Sequence, residues 1–288
     1  MKKLLLFAVM IAMTITATAQ SKKNYSFSGF TELQVGSVFD VELVKSNNYS
    51  VNVEYSKEYE KYLEVNKVGD CLVVAIHSNN NRFFNSPKLK LYVSMPYLNA
   101  LSISGAAKLN AQGSFTSNND MMKIRASGAS QIKTLNISGK NLNTQISGSS
   151  HASFSAKFDE AVVEASGASS FSGKIDSKQL ACRASGASKI EATATSQDVI
   201  LDATGASQIK IEGSANKLAV DCSGASNVNA RNFKVNDAKA ELAGASSANL
   251  YVNGSLDVDI SGGSNCSYKS DNNNVKVHDR SSRLKFEK

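Results

Sequence analysis

Acidic side chains recur at a nearly constant interval in the C-terminal part of this 288-residue chain. Successive members are 19, 20 and 18 residues apart, and the four residues are Asp202, Asp221, Glu241 and Asp259. If the fold places them side by side, neighbouring carboxylates repel by about 1 kcal/mol in water. Splayed rotamers, nearby lysines or a bound cation can relieve this repulsion, and Ca²⁺ takes carboxylate oxygens as ligands. The row is therefore our candidate ligand or cation site, with a plain solvated surface as the alternative.

Arg183 lies one further interval, 19 residues, before Asp202. An arginine beside carboxylates is similar to the faces on which polysaccharide-cleaving β-helices work, so a carbohydrate-active enzyme is one alternative. However, the sequence has no long insertion that would build a cleft around this row. The three histidines are scattered at His77, His151 and His278. The cysteines and histidines also lack the spacing of a zinc site. We therefore predict no catalytic residue and no cofactor.

The structural elements that must position this row are indicated by nine copies of one four-residue motif, which we call the phrase. Its commonest form is Ser-Gly-Ala-Ser. Its glycines are separated by 23, 20, 19, 19, 19, 19, 20 and 18 residues. They are Gly105, Gly128, Gly148, Gly167, Gly186, Gly205, Gly224, Gly244 and Gly262. A fixed period near 19 is typical of a solenoid, in which each repeat buries its apolar face against its neighbours.

Within each repeat, apolar and polar positions alternate on both sides of the glycine. The positions two before and four after it are apolar in all nine copies, and the position four before is apolar except at Thr144. A period of two predicts two half-buried strands per coil, joined by the phrase as a corner. Glycine suits a corner because it adopts positive φ. We expect the alanine after it to point inward and the stacked serines to form hydrogen-bonded ladders.

These patterns predict an all-β fold, a right-handed parallel β-helix with about 19 residues per coil. The hand follows from the strong preference of parallel crossovers for right-handed connections. A left-handed hexapeptide coil has a similar length, but the apolar positions here do not recur every six residues. The nine corner glycines are therefore predicted structural residues.

The chain divides into three predicted parts. Residues 1–19 are predicted to be a signal peptide. Residues 20–104 hold most of the aromatic residues, and we expect them to form broader opening coils that cap one end and share the solenoid core. Residues 105–288 are expected to form the regular coils, with 275–288 as a degenerate closing coil. An exposed solenoid end would otherwise offer unpaired strand edges.

The predicted signal peptide has two lysines, an apolar stretch from Leu4 to about Ile15, and small residues before a cleavage site after Ala19. This stretch is shorter than the roughly 20 residues of a bilayer span, and no second apolar run of that length follows. We therefore expect an exported protein, and the family resemblance given below implies the periplasm or the outer cell surface as its location. Loss of Lys2 and Lys3 would lower the net charge from +7 to +5, and the basic residues do not cluster. A nucleic-acid partner is therefore not expected.

The four cysteines are not expected to pair, despite the predicted export. The corner glycines nearest to Cys182 and Cys222 are two coils apart, which separates the two cysteines by about 10 Å along the axis. A disulfide requires Cα atoms within about 7 Å. We therefore expect these two thiols to be small buried core residues. The pattern leaves the roles of Cys71 and Cys266 open.

Two further segments carry a family resemblance. GFTELQVGSVFDVELV and VSMPYLNALSISGAAKL, followed by the serial Ser-Gly-Ala-Ser corners, resemble the GIN-domain family of exported proteins from Gram-negative bacteria. The resemblance covers residues 25–288. Members of this family are described as auto-transporter adhesins (head domain). It implies a right-handed β-helix in the cell envelope, and the family supplies no catalytic residues to transfer.

Three functions from different classes remain. The first, which we favour, is a noncatalytic envelope or surface module that binds a glycan or a surface protein through the flat outer faces. The second is a scaffold without a specific ligand, and the third is the carbohydrate-active enzyme. One outward face is rich in ammonium and amide groups that suit a glycan or protein surface. Its residues are Lys108, Lys133, Lys189, Lys210, Gln131, Gln208, Asn227 and Asn229.

Overall fold

A computed structural model describes residues 20–77, 89–272, 275–279 and 283–287. The predicted signal peptide and its cleavage site after Ala19 lie outside these residues. The described chain is nearly all β-structure and forms a β-solenoid of about 10 turns with a spacing of about 19 residues. This confirms the predicted fold class. No helix within the described residues has the length and apolarity needed to cross a bilayer.

The N-terminal part contains seven strands and one short 3₁₀ helix. They are β1 (Gln20–Tyr25), β2 (Glu32–Val35), β3 (Asp40–Lys45), β4 (Ser50–Ser56), the helix (Lys57–Tyr62), β5 (Leu63–Val68), β6 (Cys71–Ile76) and β7 (Lys90–Met95). Strands β1 and β4, β4 and β7, and β5 and β6 pair antiparallel. Gly69 has a φ of +57° and lies in the two-residue turn between β5 and β6. This N-terminal segment, which we call the cap, therefore combines antiparallel with parallel pairing.

The remaining strands build the regular coils. They are β8 (Ala100–Ile103), β9 (Lys108–Thr116), β10 (Met121–Ala126), β11 (Gln131–Ser138), β12 (Asn141–Ile146), β13 (His151–Ala165), β14 (Ser170–Ala184), β15 (Lys189–Thr195), β16 (Asp198–Ala203), β17 (Gln208–Cys222), β18 (Asn227–Leu242), β19 (Ser247–Ile260), β20 (Asn265–Lys269), β21 (Lys276–Asp279) and β22 (Leu284–Phe286). Every pairing among them is parallel. The closing strands β21 and β22 pair with β19 and β20.

Equivalent positions of successive coils lie in register. Ala165 pairs with Ala184, Ala184 with Ala203, and Ala203 with Cys222. All nine residues at each of the two fully apolar positions are buried, and so is Thr144. One hydrophobic cluster extends from Phe30 to Cys266 and joins the cap to the coils. The alternation in the sequence therefore identified the inward side chains correctly.

The corners differ from the prediction in one respect. The nine corner glycines have φ angles of +66° to +79°, as expected. The alanine after the glycine is exposed, however, whereas the serine one residue later is buried, so the predicted inward alanine is wrong. Ser188 shows the reason, because its hydroxyl donates to the carbonyl of Ala165 in the preceding coil at 2.9 Å. Serine, unlike alanine, supplies a donor to this carbonyl.

The serine ladder repeats this contact along the solenoid. In each case the serine hydroxyl donates to a backbone carbonyl of the preceding coil. The accepting residue lies two positions before the corner glycine of that coil. The pairs are Ser130 with Ile103, Ser169 with Ile146, Ser188 with Ala165, Ser207 with Ala184, Ser226 with Ala203 and Ser246 with Cys222. The predicted hydrogen-bonded serine ladders are confirmed, with the second serine of the phrase as the buried member.

A tenth corner lies before the first repeat and lacks the phrase. Ser37 has a φ of +66°, and among the described residues it is the only residue other than glycine with positive φ. Its carbonyl accepts a hydrogen bond from the amide of Ala106 at 2.7 Å, as the corner glycines do one coil further on. The stacked corners therefore begin in the cap, before Gly105.

Candidate ligand-binding face

The four predicted acidic residues lie on one outward face of the solenoid. Asp202 pairs in register with Asp221, Asp221 with Glu241, and Glu241 with Asp259. They occupy strands β16, β17, β18 and β19. Parallel strands are about 4.8 Å apart, so each carboxylate has a like neighbour in the next coil. The structure therefore brings the predicted row together.

Upstream, the same row becomes a connected network of charged and amide groups. Arg183 donates to Glu164 on one side and to Asp202 on the other, both at 3.1 Å. The Gln145 amide donates to Glu164 at 3.4 Å and accepts from Arg125 at 3.1 Å. The hydrogen bonds from Arg183, first to Glu164 and then to Asp202, raise the pKa of its guanidinium. The arginine thus compensates the two nearest carboxylates.

Asp221 lies between two other carboxylates of the acidic row. Partial burial, followed by repulsion from Asp202 and Glu241, raises the pKa of its carboxyl above the usual 3.8. Glu241 by contrast pairs with Lys239 at 2.6 Å. No group of three or more His, Cys, Asp or Glu side chains within the described residues is arranged to hold a metal ion. Cation binding by the row stays a prediction.

A shallow groove of about 480 Å³ runs beside this network across four coils. The side chains of the outward row form one wall, and the hydroxyl residues immediately before the corner glycines form the other. The first wall contains Gln145, Glu164, Arg183 and Asp202, and the second contains Ser147, Ser166, Ser185 and Thr204. Between the walls lie Ile146, Ala165 and Ala184, whose side chains are buried in the core. We call this feature the Arg183 groove.

The groove owes its shape to the repeat. Because the chain returns to the same place every coil, an outward residue type can change from coil to coil without disturbing the inward positions. Gln145 and Glu164 belong to the row that contains the predicted acidic residues, but they were not among the predicted site residues. The signal that could have found them is Arg183, whose carboxylate neighbours lie one coil on each side.

The ammonium-rich outward face also contains internal ion pairs. Lys189 pairs with Glu191 at 2.8 Å and Lys210 with Glu212 at 2.9 Å, in each case two residues along the same strand. The hydrogen bond between Lys210 and Glu212 lowers the pKa of that carboxyl. This ammonium-rich face is therefore less basic than its lysines suggest.

The cysteines behave as buried thiols. Cys182 and Cys222 are free and buried, as predicted, and Cys266 is likewise free and buried. Burial raises the pKa of each of these three thiols to about 12. Cys71 is free and half-buried at the start of β6. None of the four forms a disulfide in the structure.

Comparison with known proteins shows which family the sequence matches. The family model described as "Putative auto-transporter adhesin, head GIN domain" matches residues 29–196 and 170–271. A "putative adhesin" from Parabacteroides distasonis is 18% identical, with 94% of this chain and 95% of that chain covered and a TM-score of 0.51, which shows a shared fold. A "putative adhesin" from Parabacteroides merdae is 14% identical, with 93% and 96% covered and a TM-score of 0.46. No curated protein is significantly similar to the chain in sequence.

Proposed function

The chain belongs to the family of head GIN domains of auto-transporter adhesins, and we propose that it is an exported, noncatalytic surface module that binds a polar ligand in the Arg183 groove. The ligand is an extended glycan or a segment of a surface protein that offers hydroxyl, amide or cationic groups. The groove is the observation that carries this proposal, because it places donors and acceptors in fixed order along four coils.

The pre-formed network supports binding. Arg183 and its two carboxylate partners are held by parallel strands on both sides, so little side-chain or loop ordering remains to be lost when a ligand binds. All three side chains are still about one-third to one-half exposed. They can therefore exchange part of their hydration for contacts with a ligand. Groups that combine charge with hydrogen bonding give specificity as well as attraction.

The same pairing argues for a noncatalytic role. Acid–base catalysis on a sugar uses a pair of carboxyl groups that flank the scissile bond. Here Arg183 engages both Glu164 and Asp202 as ion pairs. The enzyme alternative has one specific support, the raised pKa of Asp221. The test is a polysaccharide degradation assay of the parent protein and the Asp221→Asn variant. If the parent degrades a polysaccharide and the variant does not, the noncatalytic proposal is wrong.

The binding test is a glycan array probed with residues 20–288, the chain without its predicted signal peptide, at low and at high salt. Binding of a ligand with cationic groups to the carboxylates of the groove should weaken as salt rises. Arg183→Gln should abolish this binding. Arg231→Gln is the matched control, because it removes the same charge from a half-exposed arginine outside the groove. A blank array, together with no capture of a surface protein by the immobilised chain, would favour the scaffold alternative.

Location and cation binding need separate experiments. Cell fractionation and protease shaving of a tagged full-length protein distinguish periplasm from outer surface, and a cytosolic location would contradict export. Calorimetric titration with Ca²⁺ tests the acidic row of Asp202, Asp221, Glu241 and Asp259. Heat that is lost in the Asp221→Asn variant would support a cation site, whereas no heat at millimolar Ca²⁺ would exclude it.

A further inference from the structure

A second cleft lies at the capped end of the solenoid, remote in sequence from the Arg183 groove. It has a volume of about 550 Å³ and is formed by two short stretches, residues 24–28 and 47–52. The first stretch is the end of β1 and the loop after it, and the second is the connection from β3 into β4. Antiparallel pairing of Tyr25 with Val51 joins the two stretches.

The lining of this cleft contains no charged residue, although 20% of the chain is charged. It consists of four asparagines, three serines, three aromatic residues and one valine: Asn24, Asn47, Asn48, Asn52, Ser26, Ser28, Ser50, Tyr25, Phe27, Tyr49 and Val51. The Arg183 groove, by contrast, contains both signs of charge. The cleft is thus chemically distinct, with aromatic rings beside neutral donors and acceptors.

The aromatic residues are held in place from the core side. The rings of Tyr25 and Phe27 are nearly parallel, with centroids 5.8 Å apart and an interplanar angle of 8°. Tyr49 packs against the buried ring of Phe30 at 4.8 Å. The Lys23 ammonium lies 5.3 Å from the Tyr25 ring centroid and covers part of that ring. Phe27 and Tyr49 are therefore the rings best placed to meet a ligand.

The amides complete the arrangement. Asn24, Asn47 and Asn48 are exposed, and Asn52 is half-buried. Within the part of the chain that the structure describes, the side-chain amides of Asn24, Asn47 and Asn52 have no hydrogen-bond partner. Each amide can both donate and accept. A sugar hydroxyl needs this dual capacity, because it is itself donor and acceptor.

We propose that this cleft binds a neutral saccharide. The apolar C–H face of a pyranose ring packs on Phe27 or Tyr49, and the asparagine amides hydrogen-bond to its hydroxyls. Aromatic side chains with a few convergent polar groups are the usual lining of a ligand site. The lining residues offer no ion pair to sulfated or uronic-acid sugars, and the nearby Lys23 ammonium lies over the Tyr25 ring. This site is separate from the Arg183 groove and does not depend on the function proposed for it.

The test is calorimetric titration of residues 20–288 with four neutral probes: maltohexaose, cellohexaose, mannohexaose and chitohexaose. We expect at least one to bind, with an affinity that does not change between low and high salt, because the probes carry no charge to be screened. The double variant Asn47→Ala, Asn48→Ala and the single variant Tyr49→Ala should each weaken this binding about tenfold, the scale of one lost aromatic or hydrogen-bonding contact.

Tyr97→Ala is the matched control, because Tyr97 is 44% exposed and does not line the cleft. It should bind the probe as the parent does. Unfolding midpoints distinguish loss of contact from loss of fold, and the asparagine variant covers the case in which Tyr49→Ala fails to fold.

Absence of binding to all four probes at millimolar concentration would overturn the inference. So would binding that survives the asparagine variant, or binding abolished by Arg183→Gln instead. The last result would leave the proposed function standing and assign the sugar to the groove. Conversely, probe binding that is lost in the cleft variants, with no ligand found for the groove, would support the inference alone.

Discussion

Replacing a corner glycine by alanine should destabilise the solenoid by an amount set by how closely the preceding corner approaches. Gly148 has a φ of +69°, and a Cβ added there would lie 2.5 Å from the carbonyl oxygen of Gly128. The same oxygen accepts a hydrogen bond from the amide of Ser149 at 2.7 Å. The clash therefore cannot be relieved by moving that carbonyl without weakening the bond that stacks the two corners.

The magnitude follows from these contacts. The left-handed conformation costs an L-residue about 1–2 kcal/mol. Weakening the stacking hydrogen bond adds about 1 kcal/mol. We expect Gly148→Ala to cost about 3 kcal/mol in total, once the shift of backbone around the new methyl group is included. At Gly186 the added Cβ would lie 3.0 Å from the Gly167 oxygen, so Gly186→Ala should cost less. The branched side chain of Gly186→Val should again cost several kcal/mol.

Urea unfolding of three alanine variants separates the two contributions. Gly69→Ala is the control, because Gly69 has a φ of +57° and nothing lies within 4 Å of an added Cβ. It should lose only the conformational part. The loss of stability should therefore increase from Gly69→Ala through Gly186→Ala to Gly148→Ala. Equal losses for Gly69→Ala and Gly148→Ala would refute the close approach of stacked corners, and an unchanged melting temperature for Gly186→Val would refute the corner assignment.

Three further substitutions test the core, the row and the ladder. Thr144→Val should raise the melting temperature, because the buried Thr144 hydroxyl has no hydrogen-bond partner in the structure and such a group costs about 1–3 kcal/mol; a lower melting temperature would contradict this. The pKa of Asp221 is raised in the folded state, so its charge costs stability as pH rises through and above 3.8. Asp221→Asn should therefore be more stable than the parent at pH 7, and urea unfolding should show this gain vanishing below pH 3.8; a gain that persists in acid would refute the assignment. Ser188→Ala should cost about 1 kcal/mol in urea unfolding by removing the donor to Ala165; an unchanged midpoint would argue against the buried ladder.

The sequence by itself determined the coil and its inward side. Because each coil repeats the same alternation of apolar and polar positions, a polar residue at one apolar position, such as Thr144, does not obscure the period. The register of Ala165, Ala184 and Ala203 follows from that period alone, since parallel strands that repeat every 19 residues can stack residue on equivalent residue. The same logic placed Asp202 beside Asp221.

Only the tertiary structure determined the contacts that the sequence period does not specify. Alanine and serine at a corner are both small, and the choice between them depended on the carbonyl of Ala165, which belongs to another coil. The bridging of Glu164 and Asp202 by Arg183 depended on rotamers across three coils. The cleft between Phe27 and Tyr49 depended on antiparallel pairing in the cap, whereas the described coils from β8 onward pair only in parallel. A sequence repeat therefore determines the contacts between equivalent positions of successive coils. Contacts between segments that do not repeat depend on how those segments pack in three dimensions.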